Sequence, residues 1–279
     1  MDIKELKNSG FRFKKNLGQN FLTDSNLLRA FVKDAGVTNE DTVVEIGAGA
    51  GTLTRALAQK AKRVVAFEID EELTPVLDKI KEEYPSVEIR FEDVLKLSDE
   101  QIKERVSETF VVVANLPYYV TTPMIMKFVD GTLDVKSMTL LMQKEVAERL
   151  IAKPKTSEYG AITAAIDAVA DTEIMRIVDR RMFYPVPNVD SALVKITFNR
   201  NKYNFSDYKI FKKTVKAAFA MRRKTLVNNL ISAFSISREN AENIVVCSGY
   251  EKTVRGEELS CEEFVALSDK IADLIKQKA

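Results

Sequence analysis

Two short segments carry residue types suited to group-transfer chemistry. The first is E-I-G-A-G-A-G at residues 45–51, and the second is N-L-P-Y at residues 115–118. Each includes or follows a short apolar run rich in β-branched residues, which predicts a buried strand. Because open α/β sheets bind ligands beyond the carboxyl ends of their strands, both segments are expected to lie at a ligand site. Together they predict methyl transfer to a nucleic-acid base.

The glycine-rich segment predicts a loop that binds S-adenosylmethionine. Gly47, Gly49 and Gly51 form G-x-G-x-G, in which the missing side chains let the backbone turn sharply and approach a ligand. Dinucleotide enzymes use G-x-G-x-x-G, and the third glycine of that pattern would fall on Thr52. The alternative explanation of the glycines alone is a tight strand-to-helix connection that binds nothing.

Two carboxylates further along the chain favour the cofactor interpretation. Glu68 ends the second predicted strand, where it can accept hydrogen bonds from both ribose hydroxyls of an adenosine. Asp93 follows the third strand and can accept a hydrogen bond from the adenine amino group. Each could instead cap a helix or face solvent. Their positions at successive strand ends favour cofactor recognition, and the lack of a Walker motif argues against nucleotide triphosphate hydrolysis.

The N-L-P-Y segment predicts an acceptor loop for an adenine amine. This amine is a poor nucleophile because its lone pair is delocalised into the ring. The side-chain carbonyl of Asn115 and the main-chain carbonyl of Leu116 could accept its two N–H bonds and draw the nitrogen toward a tetrahedral geometry. Tyr118 would stack on the base, and Pro117 would fix the loop backbone. An ordinary proline turn is the alternative.

The composition excludes several classes of protein. The chain has 279 residues, is 46% hydrophobic and contains no histidine, which removes His-dependent nucleophilic mechanisms and His-ligated metals. No apolar run reaches the roughly 18 residues that span a membrane, and no signal peptide is evident, so a cytoplasmic protein is expected. Cys247 and Cys261 lack C-x-x-C spacing and are expected to be ordinary buried thiols, with no metal site.

Basic residues are concentrated at two places, although the net charge is only +1. Residues 208–238 hold eight cations and no acid, including Arg222, Arg223 and Lys224. The first 23 residues hold five cations, including Lys14 and Lys15, against two acids. Such clusters predict contact with a polyanion, with a solvated helix face as the alternative.

The predicted elements indicate an α/β fold with a doubly wound, Rossmann-like sheet of seven strands that ends in a hairpin. This arrangement is the methyltransferase variant of the fold. The polar segment at residues 199–204 predicts a domain boundary, followed by a small helical domain in which Phe211, Val215 and Phe219 recur on one face. We therefore expect a basic N-terminal segment at 1–23, a methyltransferase domain at 24–200 and a helical RNA-contacting domain at 201–279.

The predicted strands and helices alternate along the larger domain. The strands are predicted at residues 42–46, 63–68, 87–91, 110–114, 137–142, 173–178 and 192–198, and the helices at residues 52–60, 71–83, 121–129, 144–151 and 159–170.

The sequence resembles the ribosomal RNA adenine dimethyltransferases, specifically the KsgA-like enzymes of the small subunit. The resemblance spans almost the whole chain and includes N-L-G-Q-N-F-L at 16–22, both loops above, F-Y-P-V-P-N-V-D-S-A-L-V at 183–194 and M-R-R-K-T-L at 221–226. It implies that S-adenosylmethionine contacts Asn20, Leu22, Gly47, Glu68, Asp93 and Asn115, with Gly49 in the same loop. It also implies that Phe183 faces Tyr118 across the target base, although by itself Phe183 reads as a core aromatic.

The resemblance implies a reaction and a partner. These enzymes convert two adjacent adenosines near the 3′ end of small-subunit rRNA to dimethyladenosine, so the expected partner is rRNA in a partly assembled 30S particle, bound by a monomer. Erm-type enzymes, which dimethylate one large-subunit adenosine, generally carry N-I-P-Y, so Leu116, Asp190 and M-R-R-K-T-L favour the small subunit. A non-catalytic RNA-binding or transcription factor on the same fold is the other alternative.

Overall fold

The computed structural model describes residues 21–22 and 24–276. Asn20, Lys14 and Lys15, which the sequence analysis assigned to the cofactor and RNA sites, lie outside the described residues. The chain divides into two compact units. The described part of the first lies within residues 21–147 and 173–198, and that of the second comprises residues 148–172 and 199–276. Residues 148–172, which the sequence analysis placed in the larger domain, thus group with the C-terminal helices.

The first unit is built on a mixed sheet whose strand order is β4-β3-β2-β5-β6-β9-β7. The seven strands are β2 (Thr42–Ile46), β3 (Arg63–Glu68), β4 (Val87–Phe91), β5 (Phe110–Asn115), β6 (Val135–Gln143), β7 (Ala170–Val178) and β9 (Ser191–Phe198). Two short strands, β1 (Phe21–Leu22) and β8 (Phe183–Tyr184), form a separate antiparallel pair. The predicted seven-stranded methyltransferase sheet, with β7 and β9 adjacent at one edge, is confirmed.

Helices connect the strands of this sheet. They are α1 (Ser25–Ala35), α2 (Thr52–Ala58), α3 (Thr74–Glu83), α4 (Asp99–Val106), α5 (Tyr118–Asp130) and α6 (Lys144–Leu150), with 3-10 turns at Glu71–Leu73, Val94–Lys96 and Arg180–Met182. The sequence analysis did not delimit α1 and α4, although both have clear start signals. Asp24 caps α1 by accepting from two main-chain amides, and Ser98 forms a capping box with Gln101 at the start of α4.

The register of the parallel strands brings the functional segments to one edge of the sheet. Ile46 lies opposite both Phe67 of β3 and Ala114 of β5, and Glu68 lies opposite Phe91 of β4. The strands therefore end side by side, and the residues that follow them emerge together. Every residue of β2 is buried, as expected for a parallel strand covered on both faces.

The second unit is helical. Its described helices are α7 (Ala161–Asp167), α8 (Tyr208–Ala218), α9 (Leu226–Phe234), α10 (Arg238–Cys247) and α11 (Cys261–Lys276), with a 3-10 turn at Gly256–Glu258. The predicted stripe on α8 is confirmed at Phe211 and Val215, which are buried, whereas Phe219 lies at the helix end and is partly exposed. Predicted helix 159–170 is shorter than expected because the chain enters β7 at Ala170.

Gly51 provides a stability test because its conformation and its surroundings both exclude a side chain. Its φ is 72°, and a Cβ would lie 1.9 Å from Cδ1 of Ile80 in α3. Gly47 has a similar φ of 79°, but its Cβ would meet nothing closer than 3.8 Å. We expect Gly47→Ala to lose about 1–2 kcal/mol of unfolding free energy to backbone strain. Gly51→Ala should lose about 1–3 kcal/mol more from overpacking, measured by urea unfolding. Equal losses would show that Ile80 moves aside at no cost.

Candidate active site

The glycine loop begins where β2 ends and turns back toward β3. Gly47, Gly49 and Gly51 all have positive φ, at 79°, 54° and 72°. The main-chain amides of Gly47 and Ala48 both donate to the carbonyl of Phe67, at 2.8 and 3.1 Å. Glycine is needed at these positions because residues with a Cβ rarely adopt this conformation. The loop therefore keeps its backbone exposed toward the strand ends.

Glu68 ties this loop to the end of β3. One oxygen of its carboxylate, Oε2, accepts from the amide of Gly49 at 2.7 Å, and the other, Oε1, accepts from the amides of Ile69 and Asp70 at 2.7 and 2.9 Å. The side chain is only 6% exposed. By lone-pair count, Oε1 is saturated and Oε2 can still accept one donor. The expectation that Glu68 accepts both ribose hydroxyls stays a prediction, and three main-chain amides already donate to this carboxylate.

The two acids after β4 have different roles: Asp93 caps a turn, and Glu92 forms an ion pair. Asp93 Oδ1 accepts from the amide of Leu95 at 3.0 Å and so caps the following 3-10 turn. Glu92 is held by Arg105 through Nε at 2.9 Å and Nη2 at 2.6 Å, and this guanidinium lowers the pKa of the Glu92 carboxyl. Asp93 thus has the capping role that was the alternative interpretation, while it also lines the pocket described below.

The acceptor loop joins β5 to α5. Asn115 is the last residue of β5, Leu116 is buried, and Tyr118 is the first residue of α5. The amide of Val120 donates to the carbonyl of Pro117 at 3.1 Å, which closes the first turn. A Cβ on Gly47 would lie 3.8 Å from the main-chain oxygen of Asn115, and β2 pairs with β5, so the glycine loop and the acceptor loop lie side by side.

Phe183 enters the same region from a distant part of the sequence. It lies in β8, where it pairs with Leu22 of β1, and its side chain is 3% exposed. The ring packs within the core that surrounds the sheet and also lines the pocket. Both interpretations of Phe183 from the sequence, a core aromatic and a wall of the base site, therefore have a structural basis.

A single open pocket joins all these segments. Its volume is about 1080 Å³, including the space at its mouth. Nine of the predicted site residues line it: Leu22, Gly47, Gly49, Glu68, Asp93, Asn115, Leu116, Tyr118 and Phe183. One cavity thus connects the carboxylate end to the amide and aromatic end.

Comparison with known proteins assigns the family. The sequence model of the family described as ribosomal RNA adenine dimethylase matches residues 10–273. The chain belongs to this family. It is 43% identical to "Ribosomal RNA small subunit methyltransferase A" of Bacillus licheniformis, over 98% of this chain and 96% of that protein. It is 44% identical to the protein of the same name from Geobacillus thermodenitrificans, over 96% and 94%.

Solved structures agree on the fold of this dimethylase family. A dimethyladenosine transferase from Plasmodium falciparum matches with a TM-score of 0.75 and 24% identity, over 92% of this chain and 98% of that chain. The 23S rRNA methyltransferase ErmE matches with a TM-score of 0.68 and 23% identity, over 90% and 99%. The dimethylase is a methyltransferase, and the cofactor of methyltransferases with this fold is S-adenosylmethionine.

The pocket fits that cofactor. A buried carboxylate with one remaining acceptor direction, Glu68 Oε2, suits a ribose hydroxyl, and the bare backbone at Gly47 and Gly49 allows close approach. The part of the pocket near Asp93 is also lined by Ile69 and Leu95, which offer apolar surface to a purine ring. These residues would hold the adenosine half of the cofactor.

Glu92, Ile69 and Tyr119 are among the pocket-lining residues that the sequence analysis did not assign to the site. Glu92 precedes the predicted Asp93, and the sequence alone gives no reason to prefer one of two adjacent acids. Ile69 and Tyr119 line the pocket and are 54% and 61% exposed. Each directly follows a predicted site residue, Glu68 or Tyr118. This adjacency could have indicated them, because a large apolar side chain beside a binding residue often lines the same site.

Three of the predicted RNA-contacting residues, Arg222, Arg223 and Lys224, lie in the second unit of the dimethylase, and they differ in their environment. Arg222 is exposed, yet its Nη2 donates to the carbonyls of Ser157 and Tyr159, both at 2.8 Å. Arg223 and Lys224 are exposed. The Arg222 guanidinium is therefore already bound to the backbone of its own unit, and the sequence pattern could not distinguish it from its neighbours.

Other predictions concern metals, membranes and thiols. In the described residues, no group of three or more His, Cys, Asp or Glu side chains could hold a metal ion. None of the helices described within residues 24–276 is long and apolar enough to cross a membrane.

Cys261 is buried as predicted. The prediction for Cys247 was wrong, because it lies at the exposed end of α10, where helical periodicity turns it away from the core.

Glu45 is an unusual carboxyl beneath the glycine loop. It has no exposed surface, and neither side-chain oxygen has a hydrogen-bond partner among the described residues. Burial, with a smaller contribution from the charge of Glu68, raises the pKa of Glu45 to about 8. The Glu45 carboxyl is thus mostly protonated at neutral pH.

Glu45→Gln tests this protonation through the pH dependence of stability. The folded-state pKa of Glu45, about 8, exceeds its ordinary value of 4.5, so folding binds a proton between these pH values. The free energy of unfolding of the wild type should therefore fall as pH rises through this window, by up to about 1.4 kcal/mol per pH unit from this group. Glutamine cannot ionise, so the variant should lack this component in urea unfolding at pH 5, 6.5 and 8. Parallel pH profiles for the two proteins would contradict the assignment.

Proposed function

We propose that this protein transfers methyl groups from S-adenosylmethionine to the exocyclic amines of two adjacent adenosines near the 3′ end of small-subunit 16S rRNA. Each adenosine becomes dimethyladenosine. The observation that carries the proposal is the single pocket that runs from Glu68 to Asn115, Tyr118 and Phe183. The relatives at 43% and 44% identity, named as small-subunit methyltransferases, support the choice of rRNA subunit.

The acceptor loop activates the amine without a base. The Asn115 side-chain carbonyl and the Leu116 main-chain carbonyl accept the two N–H groups of the adenine amine and turn its lone pair toward the cofactor end of the pocket. Tyr118 and Phe183 stack on the two faces of the base, which must leave its own stack to enter the pocket. When bound, S-adenosylmethionine supplies an electrophilic methyl group. A histidine base is unavailable, since the chain contains none, so the proton that the methylated nitrogen loses passes to water at the open mouth of the pocket.

The same carbonyls explain why reaction continues to the dimethyl stage and then stops. A monomethyl amine keeps one N–H, which Asn115 or Leu116 can still accept. A dimethyl amine has no N–H and can no longer donate to the loop. Binding of the base should therefore weaken after the second transfer, which favours release of the product.

Two other functions are less well supported. The large-subunit reaction of ErmE belongs to a protein whose likeness at 23% identity extends to the fold alone. A non-catalytic RNA-binding or transcription factor would not need an intact pocket that carries Asn115, Tyr118, Glu68 and Asp93 together. We retain the small-subunit methyltransferase as the proposal, acting in the cytoplasm as a monomer on partly assembled 30S particles.

The RNA-contacting residues in this proposal are Arg223 and Lys224, with Lys14 and Lys15 of the N-terminal segment. We assign Arg222 chiefly to holding the 157–159 backbone, because both of its hydrogen bonds go there. Phosphate contacts fix the orientation of RNA without reading its sequence. The pocket would then select the base.

Product analysis tests the proposed reaction directly. Partly assembled small subunits that lack the modification should receive four methyl groups per particle, two on each of two neighbouring adenosines, as judged by mass spectrometry of digested rRNA. Asn115→Ala should lose nearly all methyl transfer with cofactor saturating, because the amide acts on the reacting amine. Binding of the particle by this variant should persist. Modification of large-subunit RNA, or only monomethyladenosine after exhaustive reaction, would defeat the proposal.

A charge-removal pair separates RNA contact from structure. The double variant Arg223→Ala with Lys224→Ala should bind the particle more weakly and flatten its salt dependence, by about 0.7–0.9 in log–log slope for each phosphate that is no longer neutralised. Thermal stability should change little, because both side chains are exposed. Arg222→Ala is the matched comparison, and it should lower stability by releasing the Ser157 and Tyr159 carbonyls. An unchanged salt slope in the double variant would assign these cations to a solvated face.

A further inference from the structure

A buried serine bonds to the aromatic side chain of the acceptor loop. The hydroxyl of Tyr118 and Oγ of Ser191 lie 3.0 Å apart, and Ser191 has no exposed surface. We propose that Ser191 is a positioning residue, whose hydroxyl fixes the ring of Tyr118 and so determines where the acceptor base stacks. This inference rests on the proposed function, because it concerns the placement of the base that function requires.

Ser191 is well anchored for this role. It is the first residue of β9 and pairs with Gln143 of β6. The preceding residue, Asp190, is held on both sides, since its main-chain oxygen accepts from the amide of Lys144 at 3.0 Å and its Oδ1 accepts from the amide of Arg180 at 3.1 Å. The serine hydroxyl is therefore attached to a strand that other contacts already hold in place.

Tyr118 depends on such an anchor more than a core aromatic does. It lies at the first position of α5, lines the open pocket and is only partly buried, so packing restrains its ring less than it restrains a fully buried ring. A hydrogen bond to the para hydroxyl restrains both side-chain torsions, because the hydroxyl is the atom furthest from the backbone. With the bond in place, the ring face presented to the base is preorganised.

The hydrogen bond between Tyr118 and Ser191 also links the positions of the two aromatic side chains of the acceptor site, Tyr118 and Phe183. Phe183 and Ser191 belong to one segment, F-Y-P-V-P-N-V-D-S, and this segment supplies Phe183 directly and holds Tyr118 through Ser191. The position of Phe183 is set by the pairing of β8 with β1. The same stretch of backbone therefore positions both aromatic side chains, and so it sets the distance between the two rings.

A double-mutant cycle on methyl transfer tests the proposal. Wild type, Tyr118→Phe, Ser191→Ala and the double variant are compared in single-turnover methylation of unmodified small subunits, with cofactor saturating. Each single variant should lower the rate by roughly 2- to 12-fold, the range set by one hydrogen bond, while calorimetry shows unchanged affinity for S-adenosylmethionine. The double variant should be no slower than the slower single variant, since both changes remove the same bond.

Two further variants serve as controls. Ser137→Ala removes a buried serine from β6, on the same sheet and outside the pocket lining, and should leave the rate unchanged. Ser191→Thr keeps the hydroxyl and should retain more activity than Ser191→Ala. If Ser191→Ala fails to fold, Tyr118→Phe decides the question alone, because it removes the bond from the pocket side without opening a cavity.

The outcomes separate this inference from the proposed function. A wild-type protein that leaves small-subunit adenosines unmodified would defeat the proposed function. An active wild type with an unchanged rate in Tyr118→Phe would overturn only the role of Ser191. Equal fold losses from Ser191→Ala in the wild-type and Tyr118→Phe backgrounds would likewise overturn it, because Ser191 would then act independently of the tyrosine hydroxyl.

Discussion

The buried carboxylate of Glu68 is the interaction on which the cofactor end of the site depends. It accepts hydrogen bonds from three main-chain amides, one in the loop after β2 and two in the turn after β3. A carboxylate with so little exposure needs these donors because a buried polar group without hydrogen bonds is costly, and the glycine loop needs the carboxylate to fix its path. The charge of Glu68 also helps to explain Glu45, because a second buried carboxyl nearby is stabilised in its neutral form.

The acceptor end of the pocket depends on a different constraint, which is the strand order. Strand β6 pairs with β5 on one side and with β9 on the other. Asn115 ends β5 and Leu116 follows it, and Ser191 begins β9 two strands away. The proposed amine site is composed of carbonyls and aromatic rings, which suits a reaction that requires lone-pair orientation more than proton removal. The pairing of β2 with β5 then places this site beside the glycine loop.

The basic segment of the second unit shows how similar charges can have different tasks. Arg222 binds two carbonyls of its own unit, whereas Arg223 and Lys224 present their side chains to solvent. In the same unit, Lys213 of α8 lies 4.6 Å above the ring of Phe234. Part of the positive charge that sequence counting assigned to RNA contact therefore stabilises the helical unit itself.

The sequence by itself determined the strands of the sheet and the positions of the two loops, because β-branched runs and the glycine and proline residues after them act locally. Seven pocket residues could be named for that reason, since parallel strands in register align their carboxyl ends, whereas Leu22 and Phe183 were named from the family resemblance. Only the tertiary structure decided that Asp93 caps a turn, that Arg222 binds backbone, that Cys247 is exposed and that Ser191 meets Tyr118. These outcomes depend on pairing between distant segments, and a side chain's type and local spacing do not specify which partner the fold brings to it.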